Sequence, residues 1–275
     1  MKSLLKVFVF VGIVLMVGSV FGEDVLLPEP LEKEIKQPTG AVISEKRMSI
    51  EQSELMAKTL FDNIWEELCD KFGERNLRFP KQVVFLNGAP GAGKGTNTAN
   101  VMRALEIPSP PIEVSSLLTT PECESLKKQG LLVGDDIVIS QVMYELLKRE
   151  NRRGIIIDGF PRTIVQAFFL KNLIYKLHDL NDKKPTGFKL VKFSVSRATS
   201  IERQISRGAK AIEENKPVRA TDMSFEAAER RYQIYEDSIN ICMEILRDDV
   251  PIYDINAEGT FEEVRRRTFD ILSDK

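Results

Sequence analysis

The chain has 275 residues, 43% hydrophobic and 29% charged, a globular balance that excludes a wholly disordered polymer and leaves room for one large domain or two small ones. A formal net charge of -2 excludes a broadly cationic nucleic-acid surface, so lysines and arginines matter where they converge. Cys69, Cys123 and Cys242 are an odd number without metal-ligand spacing, and imply no disulfide framework.

At the start, Lys2 and Lys6 precede an uncharged run over residues 7–22, followed at once by Glu23 and Asp24. Those 16 residues fall short of the about 20 needed by a bilayer helix, and small residues lie near a plausible cleavage point at Gly22. Residues 1–22 therefore read as a signal peptide or, alternatively, a membrane anchor. Either would export the protein to a periplasm or secretory pathway or tether it to a membrane, whereas the cysteines suit a reducing, cytoplasmic compartment. Residues 23–48, with Pro28, Pro30 and Pro38 among scattered charges, read as a linker with no core of its own. From residue 49 to 72 the pattern turns helical, with Leu60, Phe61, Ile64, Trp65, Leu68 and Phe72 on one stripe and Cys69 at its edge.

Next comes VVFLNGAPGAGKGTNT, residues 83–98. Val83, Val84, Phe85 and Leu86 form the continuous apolar run of a buried parallel strand, and a helix opens near Lys94. Between them Gly88, Gly91, Gly93 and Gly95 let the backbone turn sharply and bring several N–H groups to one anion. The helix start adds its unpaired amides and positive dipole end, and the lysine can reach outer phosphates. The pattern G-x-x-x-x-G-K-[ST] runs from Gly88 to Lys94, with Gly95 in the last place and Thr96 one position late. Gly91, Ala92, Gly93, Lys94, Gly95 and Thr96 are thus candidates to hold a nucleoside triphosphate.

Pro108, Pro110 and Pro111 break the chain before a short strand at residues 112–114, and residues 115–134 read as a small helical insert. Asp135 and Asp136 are N-cap candidates for a helix carrying Val138, Val142, Leu146 and Leu147. Strands follow at 154–158, 189–195 and 251–255. Helices are expected after Pro161, at 201–207, at 224–246 and from Thr260, with a polar segment at 208–222. Strands alternating with helices predict a parallel sheet covered on both faces, with ligands at the carboxyl ends of its strands. The glycine-rich loop and Asp158 both fall at such ends.

GAPGAGKGT resembles the P-loop of adenylate kinases and their nucleoside monophosphate kinase relatives. Asp158-Gly159-Phe160-Pro161-Arg162-Thr163, with Gln166 following, resembles the D-G-F-P-R-T-x-x-Q segment of the same family. The resemblance covers residues 49–275 and implies an α/β P-loop kinase core. It would have a five-stranded parallel sheet flanked by helices, a monophosphate-binding insert at about 115–134 and a short lid at about 208–222. The implied reaction is ATP plus AMP to two ADP with Mg²⁺. By resemblance Asp158 orders Mg²⁺ through water, Arg162 holds the acceptor monophosphate and Gln166 reads adenine, with Gly159, Phe160 and Pro161 at the AMP site. A carboxylate suits a hydrated Mg²⁺, and a guanidinium fork fits two phosphate oxygens.

Further on, Glu202-Arg203-Gln204-Ile205-Ser206-Arg207 resembles the helix leading into the family's lid, which puts Arg203 and Arg207 near the donor phosphates. Arg219-Ala220-Thr221-Asp222 resembles R-x-D-D with Thr221 in place of the first Asp, and Arg231-Tyr232-Gln233-Ile234-Tyr235 resembles R-L-x-x-Y. These would bring Arg219 and Arg231 to the transferring phosphoryl group, with Asp222 ordering the lid. The 11 residues between Arg207 and Arg219 hold no cysteine and resemble the short lid, so no zinc is expected. His178 is the only histidine and lies away from every motif, against a histidine-dependent triad. The implied partners are ATP and a nucleoside monophosphate, with no nucleic acid, bound by a monomer.

The acceptor segment departs from the pattern. The family's S-T-G-D-L-L-R aligns with residues 113–119, so Val114 replaces a threonine near the base and Thr119 an arginine that grips the AMP phosphate. Losing one charge-assisted contact costs on the order of 1.5–3 kcal/mol. Lys127, Lys128, Arg152 and Arg153 are candidates to replace that charge. Leu131-Leu132-Val133 resembles the K-L-V stretch whose backbone meets the adenine. UMP, CMP or another monophosphate as acceptor, and an exported nucleotide-binding protein without turnover, stand as alternatives.

Overall fold

A computed structural model describes residues 48–128, 132–180 and 186–273. The expected leader at 1–22, residues 23–47 of the expected linker and Leu131 lie outside the described residues. Among the described residues no helix is long and apolar enough to cross a membrane.

The chain opens with α1 (Ile50–Phe72), started by a capping box in which the Ser49 hydroxyl accepts from the Gln52 N–H and Gln52 reaches back to the Ser49 N–H. Its expected stripe faces inward: Phe61, Trp65 and Leu68 are buried, and Leu60, Ile64 and Phe72 pack against the core. Strand β1 (Gln82–Gly88) leads through the glycine-rich turn into α2 (Lys94–Ala104). A short β2 (Ile112–Glu113) precedes α3 (Val114–Leu117), α4 (Pro121–Lys128) and α5 (Asp135–Leu147). After β3 (Ile155–Asp158) come α6 (Ile164–Leu180), β4 (Gly187–Ser194), α7 (Arg197–Glu213), α8 (Phe225–Leu246), β5 (Ile252–Asn256) and α9 (Phe261–Leu272).

The five strands form one parallel sheet in the order β2-β3-β1-β4-β5, the architecture expected from the sequence. Central β1 pairs with β3, Leu86 opposite Asp158, and with β4, Gly88 opposite Phe193. Alternate side chains go to opposite faces, as a period of two requires. Phe85, Ile155, Ile157 and Leu190 join a core under α1, α5, α6 and α8, where Phe61 meets Phe169 edge-on with centroids 5.6 Å apart. Val84, Leu86, Ile156, Val191 and Phe193 join a second core with Val101 of α2 and Val264 and Leu272 of α9. Both faces are therefore covered by helices.

Two local expectations change. Helix α7 runs from Arg197 to Glu213, well past the expected end at 207, so the polar segment begins as helix and finishes in a 3₁₀ turn at Ala220–Asp222. Ala209, Lys210, Ala211 and Glu213 are good helix formers, and they extend the helix without any buried stripe to announce it. The cap of α5 is Gly134, leaving Asp135 and Asp136 in the first turn, and the Asp135 carboxylate turns toward α6.

Candidate active site

The carboxyl edge of the sheet gathers three segments: the turn after β1, the loop after β3 and the start of α3. Gly93, the N-cap of α2, has φ +77° and ψ 27°, a left-handed conformation that residues with a Cβ adopt at a cost. The turn brings Lys94 back so that its Nζ donates to the Gly88 carbonyl at 3.0 Å. Two buried side chains brace the loop. Asn87 Nδ2 donates to the Pro161 carbonyl at 2.7 Å while its Oδ1 accepts from the Gly88 N–H at 2.8 Å. Ser200 Oγ donates to the Pro90 carbonyl at 2.6 Å. The sequence reading missed both; the only signal for Asn87 is an amide inside an apolar run.

Lys94 lies within electrostatic reach of Asp158, Arg162, Arg231 and Arg219. Burial pushes its ammonium down to about 8, and the three arginines push the same way against the pull of Asp158. Burial likewise takes Arg231 down to about 10, helped by Arg219 and Arg207 and opposed by Asp222. The Asp158 carboxyl is held above its ordinary value by burial, with Lys94 and Arg162 opposing and Glu113 adding to the rise. Glu113 is the register partner of Asp158 on the neighbouring strand. A left-handed Gly159, φ +89°, lets the Arg162 guanidinium fold over the turn where a Cβ would collide with it. The structure thus brings Lys94, Asp158, Arg162, Arg219 and Arg231 into one strongly cationic cluster beside the phosphate loop.

Arg203 and Arg207 are held differently. Arg203 donates to the carbonyls of Ala257 at 3.1 Å and Gly259 at 3.2 Å, fastening α7 to the loop after β5. Arg207 makes a two-pronged pair with the buried Asp222 carboxylate, at 2.7 and 2.8 Å. Arg231 reaches the Thr221 hydroxyl at 3.1 Å and Asp222 at 3.5 Å, so Thr221 offers a neutral acceptor where the resembled R-x-D-D pattern has a carboxylate.

Beside Arg162 a narrow cavity is lined by Val114, Leu118, Leu132, Val133, Gly159 and Gln166. Val114 and Val133 are buried, whereas Leu132 is 48% exposed. Phe160 and Pro161 are buried, Phe160 lying tilted against Phe85 with centroids 5.7 Å apart, so they shape the turn and do not line the cavity. Gly95 and Thr96 are exposed in the first turn of α2. Thr119 is exposed and is not part of the cavity wall. Gln166 is 3% exposed and fully engaged on one side: its Oε1 accepts from the Arg162 N–H at 2.8 Å and its Nε2 donates to Asp135 Oδ1 at 2.8 Å.

Arg152 and Arg153 do not replace the missing acceptor charge. They precede β3, and the Arg152 carbonyl accepts from the Lys81 N–H at the amino end of the sheet. From residue 153 to Asp158 an extended chain covers about 16 Å, beyond the reach of a guanidinium. The side chains of Lys127 and Lys128 lie outside the described residues. Exposed His178 sits on α6.

A family model described as an AAA domain matches residues 87–216. An adenylate kinase of Corynebacterium glutamicum (strain R) is 33% identical over 196 residues, covering 68% of this chain and 97% of that protein. One from Corynebacterium diphtheriae is 32% identical over 199 residues, with coverages of 68% and 97%. A solved structure of a gluconokinase from Sinorhizobium meliloti 1021 aligns with 72% of this chain and 94% of its own, at 18% identity and a TM-score of 0.47. With nearly the whole length of the two adenylate kinases matched, and with the phosphate loop and its arginines on one edge of a parallel sheet, the chain belongs to the adenylate kinase family of nucleoside monophosphate kinases and is a phosphotransferase.

Proposed function

We propose that the enzyme transfers the γ-phosphoryl group of ATP to AMP, giving two ADP. The observation that carries this reading is the convergence of Lys94, Arg162, Arg219 and Arg231 beside the phosphate loop, next to a cavity on which Gln166 faces. An oxygen of the AMP phosphate forms a bond to the γ-phosphorus as the bond from that phosphorus to its β-bridging oxygen breaks. No covalent intermediate on the protein is needed, so positioning and charge neutralisation carry the catalysis. Lys94 and the loop amides would hold the donor phosphates, Arg162 the acceptor phosphate, and Arg219 and Arg231 the group in flight.

A hydrated Mg²⁺ fits the residues present. Asp158 offers a partly exposed oxygen donor at the strand end facing Lys94, with Glu113 in register beside it, and Mg²⁺ binds through one or two carboxylates plus phosphates and waters. When bound, the ion would neutralise charge on the donor phosphates.

Val114 and Thr119 favour a second reading, in which UMP, CMP or another monophosphate is the acceptor. A coupled assay of ADP formation from ATP·Mg²⁺ with AMP, UMP, CMP, GMP and dAMP separates the two. AMP is expected to give the highest kcat/KM; a higher value for UMP or CMP would overturn the AMP assignment.

A further inference from the structure

Gln166 stands near the start of α6 with its amide at the cavity wall. A primary amide has two N–H donors and two acceptor lone pairs. Here one of each is already used, by Asp135 Oδ1 and by the Arg162 N–H, both at 2.8 Å. A backbone N–H can only donate and an ionised carboxylate can only accept, so turning the amide over would set donor against donor and oxygen against oxygen. The carboxylate is fixed in turn by the Thr163 hydroxyl, which donates to Asp135 Oδ1 at 2.8 Å and accepts from the Gln166 N–H at 3.1 Å.

What the amide has left for a ligand is one Oε1 lone pair and one Nε2–H, in a fixed order. Adenine offers a 6-amino donor and an N1 acceptor, which match that order when the amino group meets Oε1. A 6-oxopurine reverses both functions: O6 accepts and N1–H donates. A glutamine free to turn over would serve either base.

We propose that Asp135 is a positioning residue that sets the choice of adenine over 6-oxopurines, by locking the Gln166 amide in one orientation; this rests on the AMP reading above. The carboxylate touches no substrate atom. Together with the Arg162 N–H it denies the amide its second rotamer, and a buried site with an unmatched donor or acceptor rejects the wrong base strongly.

The test is kcat/KM for AMP and IMP with saturating ATP·Mg²⁺, in the full chain and in Asp135→Asn and Thr163→Val. Wild type is expected to prefer AMP by about 100-fold or more. Asp135→Asn, whose amide can present either an N–H or an oxygen, removes one of the two locks and leaves the Arg162 N–H, and should lower the AMP/IMP ratio by about three- to tenfold. Thr163→Val, which releases the carboxylate without altering it, should lower the ratio about threefold and decides the matter if the first variant does not fold. Equal losses for both substrates, leaving the ratio unchanged, would reduce Asp135 to a structural role and overturn the proposal alone. A wild-type preference for IMP would overturn the AMP reading and the proposal together.

Discussion

Replacing Lys94 by methionine should make the protein more stable and much less active. In the free enzyme burial, seconded by Arg162, Arg231 and Arg219 and opposed by Asp158, brings the Lys94 ammonium from 10.5 to about 8. A drop of that size corresponds to roughly 3 kcal/mol of penalty on the charged form. The unfolded chain binds this proton up to the ordinary value and the folded chain only up to about 8, so the penalty is complete below pH 8. It fades as pH rises toward 10.5. Methionine has a similar shape and no charge, and its substitution leaves the Gly88 carbonyl without its donor, which costs about 1 kcal/mol. The net gain is about 2 kcal/mol near pH 7, a rise in Tm of about 4–8 °C for a domain of this size. Turnover should fall by about 10²–10³-fold, the scale of losing one preorganised contact to a developing charge. Thermal melts of both proteins from pH 6.5 to 10 check this, with the gap expected to shrink as the wild type sheds its proton. A variant that melts below wild type at pH 7, or a gap that stays constant to pH 10, would refute the reasoning.

The same lowered Lys94 value makes phosphate binding depend on pH. A bound polyphosphate raises the Lys94 value again, so the affinity for ATP or tripolyphosphate should be level below pH 8 and weaken about tenfold per unit above it, measured by calorimetry. Asp222→Ala should cost about 3 kcal/mol in a denaturant titration, because it strips Arg207 and Arg231 of a buried counter-charge. Asp222→Asn should lose less, since it keeps the hydrogen-bond acceptor. Thr119→Arg should lower the acceptor KM by about 10- to 100-fold if the aligned position faces the monophosphate, and an unchanged KM would place that phosphate elsewhere.

The sheet was legible because β1 and β3 are compact apolar runs and β4 and β5 are apolar stretches bounded by turn residues, and the parallel architecture followed from their alternation with helices. Residues 83–86 are the clearest case, buried on both faces as a continuous apolar run requires. The phosphate loop was legible because glycine spacing has a backbone meaning that no tertiary contact is needed to supply. What the sequence did not disclose are pairings across long stretches of chain. Asn87 with the loop at 161, Asp135 with Gln166, and Arg207 with Asp222 are pairings that no local pattern announces, even where Gln166, Arg207 and Asp222 are themselves marked by the family resemblance. Asp135 reads naturally as a helix cap, and only the arrival of α6 beside it gives the carboxylate a different partner. The missing acceptor charge illustrates the same limit in reverse: Arg152 and Arg153 are near the key motif in sequence but at the wrong end of a strand.

The most direct test of the central claim follows the phosphoryl group itself. ATP labelled with ¹⁸O in its γ-phosphoryl group is incubated with AMP, Mg²⁺ and the enzyme, and the products are read by mass spectrometry. The label is expected in the β-phosphate of the ADP formed from AMP, with little labelled inorganic phosphate. Label found as inorganic phosphate, with AMP unconsumed, would show transfer to water and contradict the assignment of Lys94, Arg162, Arg219 and Arg231 to transfer between two nucleotides.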